Sequence, residues 1–328
     1  MFKENKSLGL DIGYDVMRIV ELKKNGSVIS IHSFNAVKIP KDTLTKDGII
    51  DKKALVKTFN ELIAKAGPKP IDCKNITTGL SEIDIFSKII EIPRKTKKKD
   101  FKNTVIFKAS ESIPWPVDDS CIDWIELPPS ATTTKDTLPI LIIASAKKIV
   151  EDIQSTVSTL GYKLFNLETK PIANARALIA PSENKPLLIV DIGADHTICS
   201  IVADGVVYLS TSIAVGSNQV APQQETLASA QQPANDINTI AKPLIENIIQ
   251  SIKYYQERIN SQKKVAEVRI SGAVAPYPNL DKIIQQTLNI PTVVANPTTN
   301  IKLNVSNMTP ELLHLYTVAI GLALRDLL

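Results

Sequence analysis

The sequence predicts an α/β protein of two matched lobes, because one pattern is used twice. Ser7-Leu8-Gly9-Leu10-Asp11-Ile12-Gly13 returns in kind as Leu187-Leu188-Ile189-Val190-Asp191-Ile192-Gly193. In each copy an apolar run ends in Asp-Ile-Gly and a second apolar run follows, Val16 to Leu22 and Thr197 to Ala203. Each second run reaches a residue pair that favours positive φ, Asn25-Gly26 and Asp204-Gly205. A third strand-like run comes next, Ser27 to Phe34 and Val206 to Ser212. Asn25 lies 14 residues after Asp11 and Asp204 lies 13 after Asp191, so spacing repeats along with letters. A single Asp-Ile-Gly is an ordinary strand-end turn. Two of them, each opening a strand–turn–strand–turn–strand unit, point to a duplicated domain.

Length and composition bound what the halves can be. At 328 residues the chain exceeds one typical core, so two domains with subdomains are expected. A hydrophobic share of 44% and a charged share of 22% are those of a water-soluble globular protein. A net charge of +4 gives no argument for nucleic acid. No charged-then-apolar leader with a small-residue cleavage site is visible, and no apolar run reaches the ~18 residues of a membrane span. Cys73, Cys121 and Cys199 are an odd, scattered set, which suits reduced thiols in the cytoplasm. The three histidines show no metal-ligand spacing.

Taken in order, the rest of the chain fills in both lobes. Asp51 can cap a helix carrying Leu55, Phe59, Leu62, Ile63 and Ala66 on one face, ended by Gly67-Pro68. Lys74 to Gly79 and Asp84 to Ile92 read as strands. The first lobe is expected over 1–82, with a βαββαβ insertion over 83–168. The insertion's first helix starts near Thr96 and carries Phe101, Val105, Ile106 and Ala109. Ile113-Pro114-Trp115-Pro116 then forces an extended exit. Cys121 to Leu127 and Leu138 to Ala146 are strands, Lys147 to Leu160 a helix closed by Gly161, and Lys163 to Leu167 the last strand. A connecting helix is expected over 169–186 and the second lobe over 187–328. Within it a helix beginning near Asp236 carries Ile240, Leu244, Ile248, Ile252, Tyr255 and Ile259. The final helix, from Pro310 to Leu328, is apolar nearly all round and reads as buried core.

If the halves face each other, two sets of loop N–H groups can clamp a polyphosphate and two carboxylates can hold a hydrated Mg²⁺. In this respect the chain resembles the actin and sugar kinase superfamily, whose fold is a duplicated, ribonuclease H-like α/β unit. The insertion narrows the resemblance. Val105 to Pro116, followed by Cys121-Ile122-Asp123-Trp124, is similar to the insertion of the type IV pilus assembly PilM family. Leu8 to Leu22, Ala173 to Leu178, Asn289-Ile290-Pro291 with Ala295-Asn296-Pro297, and Val318 to Arg325 are similar to it as well. The FtsA cell-division family is related but carries a membrane helix that is not seen here.

The resemblance implies ATP and Mg²⁺ in an interlobe cleft. Asp11 and Asp191 would hold the metal through water. Gly13 and Tyr14 would form the first phosphate loop, with Gly193, Ala194 and Thr197 in the second. Gly216, Ser251, Gly272 and Ala273 would approach the nucleoside, and Glu168, at the entry to the connecting helix, would polarise the attacking water. Tyr14 and Ala273 stand where the family has small residues, so at most slow ATPase activity is expected. After Gly216 a Gln/Ala-rich stretch, Asn218 to Gln232, implies a reduced top subdomain around 216–262. The implied role is that of a cytoplasmic component of a pilus, competence or secretion platform at the inner membrane. The implied partners are the cytoplasmic tail of the membrane protein PilN, other platform proteins and a further copy of the chain, with peripheral membrane contact alone. Ile113 and Trp115 are the expected contacts for the tail. The basic run Arg94 to Lys99 reads as a solvated cluster, with anionic lipid the alternative. A polymerising FtsA-like ATPase and a nucleotide-free scaffold are the rival functions.

Overall fold

Each repeated unit becomes a sheet built on the same order of five strands. The computed structural model describes residues 5–45, 48–128, 135–219, 238–273, 279–297, 303–304 and 308–328. In the first lobe β1 (Lys6–Ile12), β2 (Val16–Asn25) and β3 (Val28–Lys38) form an antiparallel meander. The short pair β4 (Leu44–Thr45) and β5 (Gly48–Ile49) precedes α1 (Lys52–Ala64). Asp51 caps α1 as expected, its carboxylate accepting the Ala54 N–H at 2.9 Å. The helix buries Leu55, Thr58, Phe59 and Leu62 against the sheet. β6 (Gly67–Pro68) pairs with β3, and β7 (Asn75–Leu80) returns parallel to β1.

The insertion follows: β8 (Ile85–Pro93), α2 (Lys98–Ser110), β9 (Ser120–Glu126) and β10 (Thr137–Ala146). Its antiparallel sheet has the order β8-β10-β9, and α2 covers it with Val105 and Ala109. Two further elements, α3 (Lys147–Thr159) and β11 (Lys163–Thr169), complete the βαββαβ order. β11, however, joins the first lobe's sheet, parallel to β7. It supplies the strand that β16 supplies in the second lobe.

α4 (Lys170–Leu178) crosses to the second lobe. There β12 (Leu187–Ile192), β13 (Thr197–Ala203) and β14 (Val206–Ile213) repeat the meander. α5 (Asn238–Tyr254), extended by a π turn over Tyr255–Ile259, is followed by β15 (Glu267–Gly272), α6 (Leu280–Leu288) and β16 (Thr292–Val294). The sheet orders match strand for strand, β3-β2-β1-β7-β11 and β14-β13-β12-β15-β16. Even the irregularity in the second strand recurs ten residues after the aspartate, at Glu21/Leu22 and at Ile201/Val202. The first hairpin turns at Gly26-Ser27, one residue later than the sequence suggests, because Asn25 still pairs with Val28. β17 (Leu303–Asn304) adds to the edge of β3.

Both sheets are covered on two faces. α1 and α3 pack on one face of the first sheet, with Phe59, Leu62, Ile153 and Val157 in that layer. α5 and α6 do the same for the second, through Leu244, Ile248, Tyr255, Leu280 and Ile284. The side chain of Ile240 lies outside the described residues, as does most of the Gln/Ala-rich stretch. Between the lobes run α4 and the C-terminal pair α7 (Pro310–Leu313) and α8 (Thr317–Leu324). All eight residues of α8 are buried, as an all-round apolar helix demands. The helix approaches its neighbours through glycine. A Cβ on Gly321 would stand 1.9 Å from the Ala173 carbonyl oxygen, and one on Gly9 would stand 2.1 Å from that of Ala319.

Gly321→Ala therefore forces α8 off α4. We expect a loss of about 3 kcal/mol in chemical denaturation. A loss within experimental error would show that the helix contact has slack.

Candidate functional site

The duplication brings Asp11 and Asp191 to the same place from opposite lobes. Asp191 Oδ1 accepts the Ser271 hydroxyl at 2.9 Å. Burial pushes the Asp191 carboxyl above its ordinary pKa; the Ser271 hydrogen bond opposes this and the charge of Asp11 adds to it. The two carboxyls thus sense one another across the cleft. Between the lobes stands Lys170, the first residue of α4. Its Nζ lies 2.8 Å from Asp11 Oδ1 and donates to the Ile12 carbonyl at 2.6 Å. Gly79 makes room for it, since a Cβ there would stand 3.0 Å from Lys170 Cγ.

The two glycine loops close on themselves in the same way. The Gly13 N–H donates to the Val16 carbonyl and the Gly193 N–H to the His196 carbonyl, each at 3.0 Å. Their tips carry Asp15 and Asp195. The Asn218 side-chain amide donates to both carboxylates, at 2.7 Å to Asp15 and 2.9 Å to Asp195. Asn218 is held over the second loop by its own N–H, which donates to the Ala194 carbonyl at 2.9 Å. Ser217 N–H does likewise to Gly193. Gly216 permits this overlay, because a Cβ on it would lie 2.2 Å from the Ala194 carbonyl oxygen. Thr197 turns its hydroxyl to the Val215 carbonyl at 2.7 Å. Tyr14 is half-buried, its ring 6.3 Å from that of His196, and burial followed by the charge of Asp84 pushes its phenol pKa up.

At the end of β15, Gly272 takes φ +92° and abuts β12. The Ala273 N–H donates to the Ile192 carbonyl at 2.8 Å, so this turn is bonded to the sheet. Ser251 is 3% exposed, its hydroxyl 3.2 Å from that of Thr211 between α5 and β14. It ties α5 to β14 within the second lobe. Glu168 is paired in the same way. Its carboxylate receives Arg176 through two hydrogen bonds of 2.6 and 2.7 Å, and Arg325 adds one at 3.4 Å. These charge-assisted bonds fasten the carboxylate to α4. Ile113 belongs to the insertion's own core and Trp115 is half-buried.

These residues do not fit a Mg²⁺ ion held between the aspartates. Lys170 already supplies positive charge there, both loop glycine N–H groups are engaged in hairpins, and Asp15 and Asp195 present carboxylates where phosphate oxygens need donors. The decisive side chains, Lys170, Asp15, Asp195 and Asn218, are ones that sequence reasoning missed. Asp15 and Asp195 were findable, since each follows its Asp-Ile-Gly aspartate by four residues. Lys170 and Asn218 carry no signal until the lobes are brought together.

Beside the first loop lies a pocket between the first lobe and α3. It is lined by Ile12, Tyr14, Leu44, Ile49, Leu55, Ile149 and Ile153, with Asp84 and Asp152 among them.

Two consequences are measurable. Glu82 lies in the turn Glu82–Asp84 beside Ser210 of the other lobe, and burial raises its pKa to about 7 although the Ser210 hydroxyl opposes this. A carboxyl raised in the folded state binds more protons folded than unfolded, so it costs stability as pH rises from about 4.5 through 7. Glu82→Gln should then match wild type near pH 4 and exceed it increasingly up to pH 8 in denaturant titrations; parallel profiles would exclude a buried Glu82. Arg176→Ala leaves Glu168, whose side chain is 6% exposed, without its main counter-charge. We expect a loss of about 3–5 kcal/mol by the same titration, and a loss under about 1 kcal/mol would return Glu168 to the list of free carboxylates.

The profile of the type IV pilus assembly protein PilM family matches residues 9–327. Among solved structures, a chain of a PilM–PilN type IV pilus biogenesis complex superposes with a TM-score of 0.80 at 18% identity, over 99% of each chain. EutJ, an ethanolamine utilization protein from Carboxydothermus hydrogenoformans, gives 0.53 at 15% identity over 98% of this chain and 90% of that one. The cytoplasmic domain of EpsL, an inner-membrane component of the Vibrio cholerae type II secretion system, gives 0.50 at 9% identity over 97% and 94%. At these identities the likeness of structure is one of fold, the two-lobed actin-like α/β architecture. The profile match over nearly the whole length decides more than fold: the chain belongs to the type IV pilus assembly protein PilM family.

Proposed function

We propose that this protein is a scaffold of the pilus assembly platform on the inner face of the cytoplasmic membrane, and that it takes the cytoplasmic tail of a PilN-type membrane protein. The apolar pocket between the first lobe and α3 carries this reading. Ile12, Tyr14, Leu44, Ile49, Ile149 and Ile153 offer a recess for an extended segment whose affinity rests on one or two apolar anchors. That one structural relative of similar length is a chain of a PilM–PilN complex supports the choice of partner. No helix among the described residues is long and apolar enough to cross a membrane, which agrees with attachment through a partner. Neither Ile113 nor Trp115 lines the recess.

A nucleotide-driven role is the second reading, favoured by the two facing Asp-Ile-Gly loops. A melting shift with millimolar ATP supports it, since a ligand stabilises the state it binds.

For the tail, Ile149→Asp should weaken a PilN-tail peptide by about 2 kcal/mol or more, roughly 30-fold, without lowering the melting temperature by more than a few degrees. Trp115→Ala should leave the affinity within a few-fold. Normal peptide binding by folded Ile149→Asp would remove the pocket from the function.

A further inference from the structure

The geometry points to Lys170 as the cleft's own cation: its ammonium takes the position that a divalent metal would need beside Asp11 and Asp191, so this cleft works without Mg²⁺. The side chains of Lys170 and Asp11 are each 11% exposed and lie 2.8 Å apart. The same ammonium donates to the Ile12 carbonyl at 2.6 Å, and its charge acts on Asp191 and Asp84 as well. Lys170 is also anchored from behind. It is the first residue of α4, followed by Pro171, and its stem runs through the notch left by Gly79.

A metal entering here would meet an ammonium within hydrogen-bond distance of its ligand. To leave, the ammonium must give up both partners and abandon Asp11, 8% exposed, without counter-charge. Hydration of the metal does not remove that conflict, because the positive charges would still share one carboxylate in a site of low exposure.

The rest of the cleft is joined by protein groups too. Asn218 ties the tip of one loop to the tip of the other through Asp15 and Asp195. Leu127 and Leu141 of the insertion, with Ile89, pack into the core of the second lobe. Amide and apolar seam therefore hold the lobes together without a bound metal–phosphate, while Lys170 neutralises the first lobe's Asp11.

The test uses the full chain. Calorimetry with ATP in millimolar Mg²⁺ and again in EDTA should give affinities within about threefold of each other, or no binding in either. A larger gain with Mg²⁺ overturns the proposal. Melting of wild type should be indifferent to millimolar Mg²⁺ alone. Lys170→Ala should melt lower by roughly 4 °C or more, and Mg²⁺ alone should restore part of that shift by re-supplying charge to the freed aspartates. A folded variant that ignores Mg²⁺ would show that Asp11 and Asp191 do not form a metal position. Lys170→Met, which keeps the stem in its notch, replaces it if Lys170→Ala does not fold. The tail peptide, measured on the same samples, reads the pocket independently of this outcome.

Discussion

Backbone contact between α4 and α8 is the constraint on which the two-lobed arrangement rests. Gly321 lets the α8 main chain meet the Ala173 carbonyl, and Gly9 lets β1 meet Ala319. These helices follow the fifth strands of the two lobes, so their crossing fixes how one repeat sits on the other. Arg176 reinforces the joint by bonding Glu168 twice and the Gly321 carbonyl at 2.8 Å. If the crossing loosened, Asp11 and Asp191 would no longer face one point, and the cleft would lose its geometry before any side chain in it changed.

The cleft combines a duplicated backbone with side chains that pair among themselves. In a metal–polyphosphate site the attraction between lobes comes from outside the chain. Here Asn218 and the Leu127/Leu141 seam provide attraction from within. Such ties hold the lobe arrangement through the chain's own side chains. They also link cleft to pocket. Tyr14 lines the pocket and faces His196 across the cleft, while Asp84 lines the pocket and lies within the field of Lys170. An occupant of the recess would therefore lean on the same loop that Asn218 holds.

Much of this was legible beforehand. The doubled Asp-Ile-Gly units gave both meanders, and the apolar C-terminal run gave a buried helix, because strand alternation and helix burial are written in local pattern. The sheet that Lys163–Thr169 joins was not. Lys163–Thr169 forms a strand whichever sheet it joins, and its pairing with β7 is a long-range choice that local sequence does not encode. Glu168 and Ser251 illustrate the same limit at the site. Their residue types suit chemistry, but burial and partners committed them to Arg176 and Thr211.

By itself the sequence determined the duplication and which residues end the matched strands, since each unit is legible within about thirty residues and its letters recur in the other. Tertiary structure decided what those residues do. Lys170 is separated from Asp11 by more than a hundred positions, and Asn218 from Asp15 by still more, yet each pair meets within hydrogen-bond distance. Whether a carboxylate faces a metal, an ammonium or an amide depends on which distant side chain the fold brings beside it, and that is settled when the lobes close.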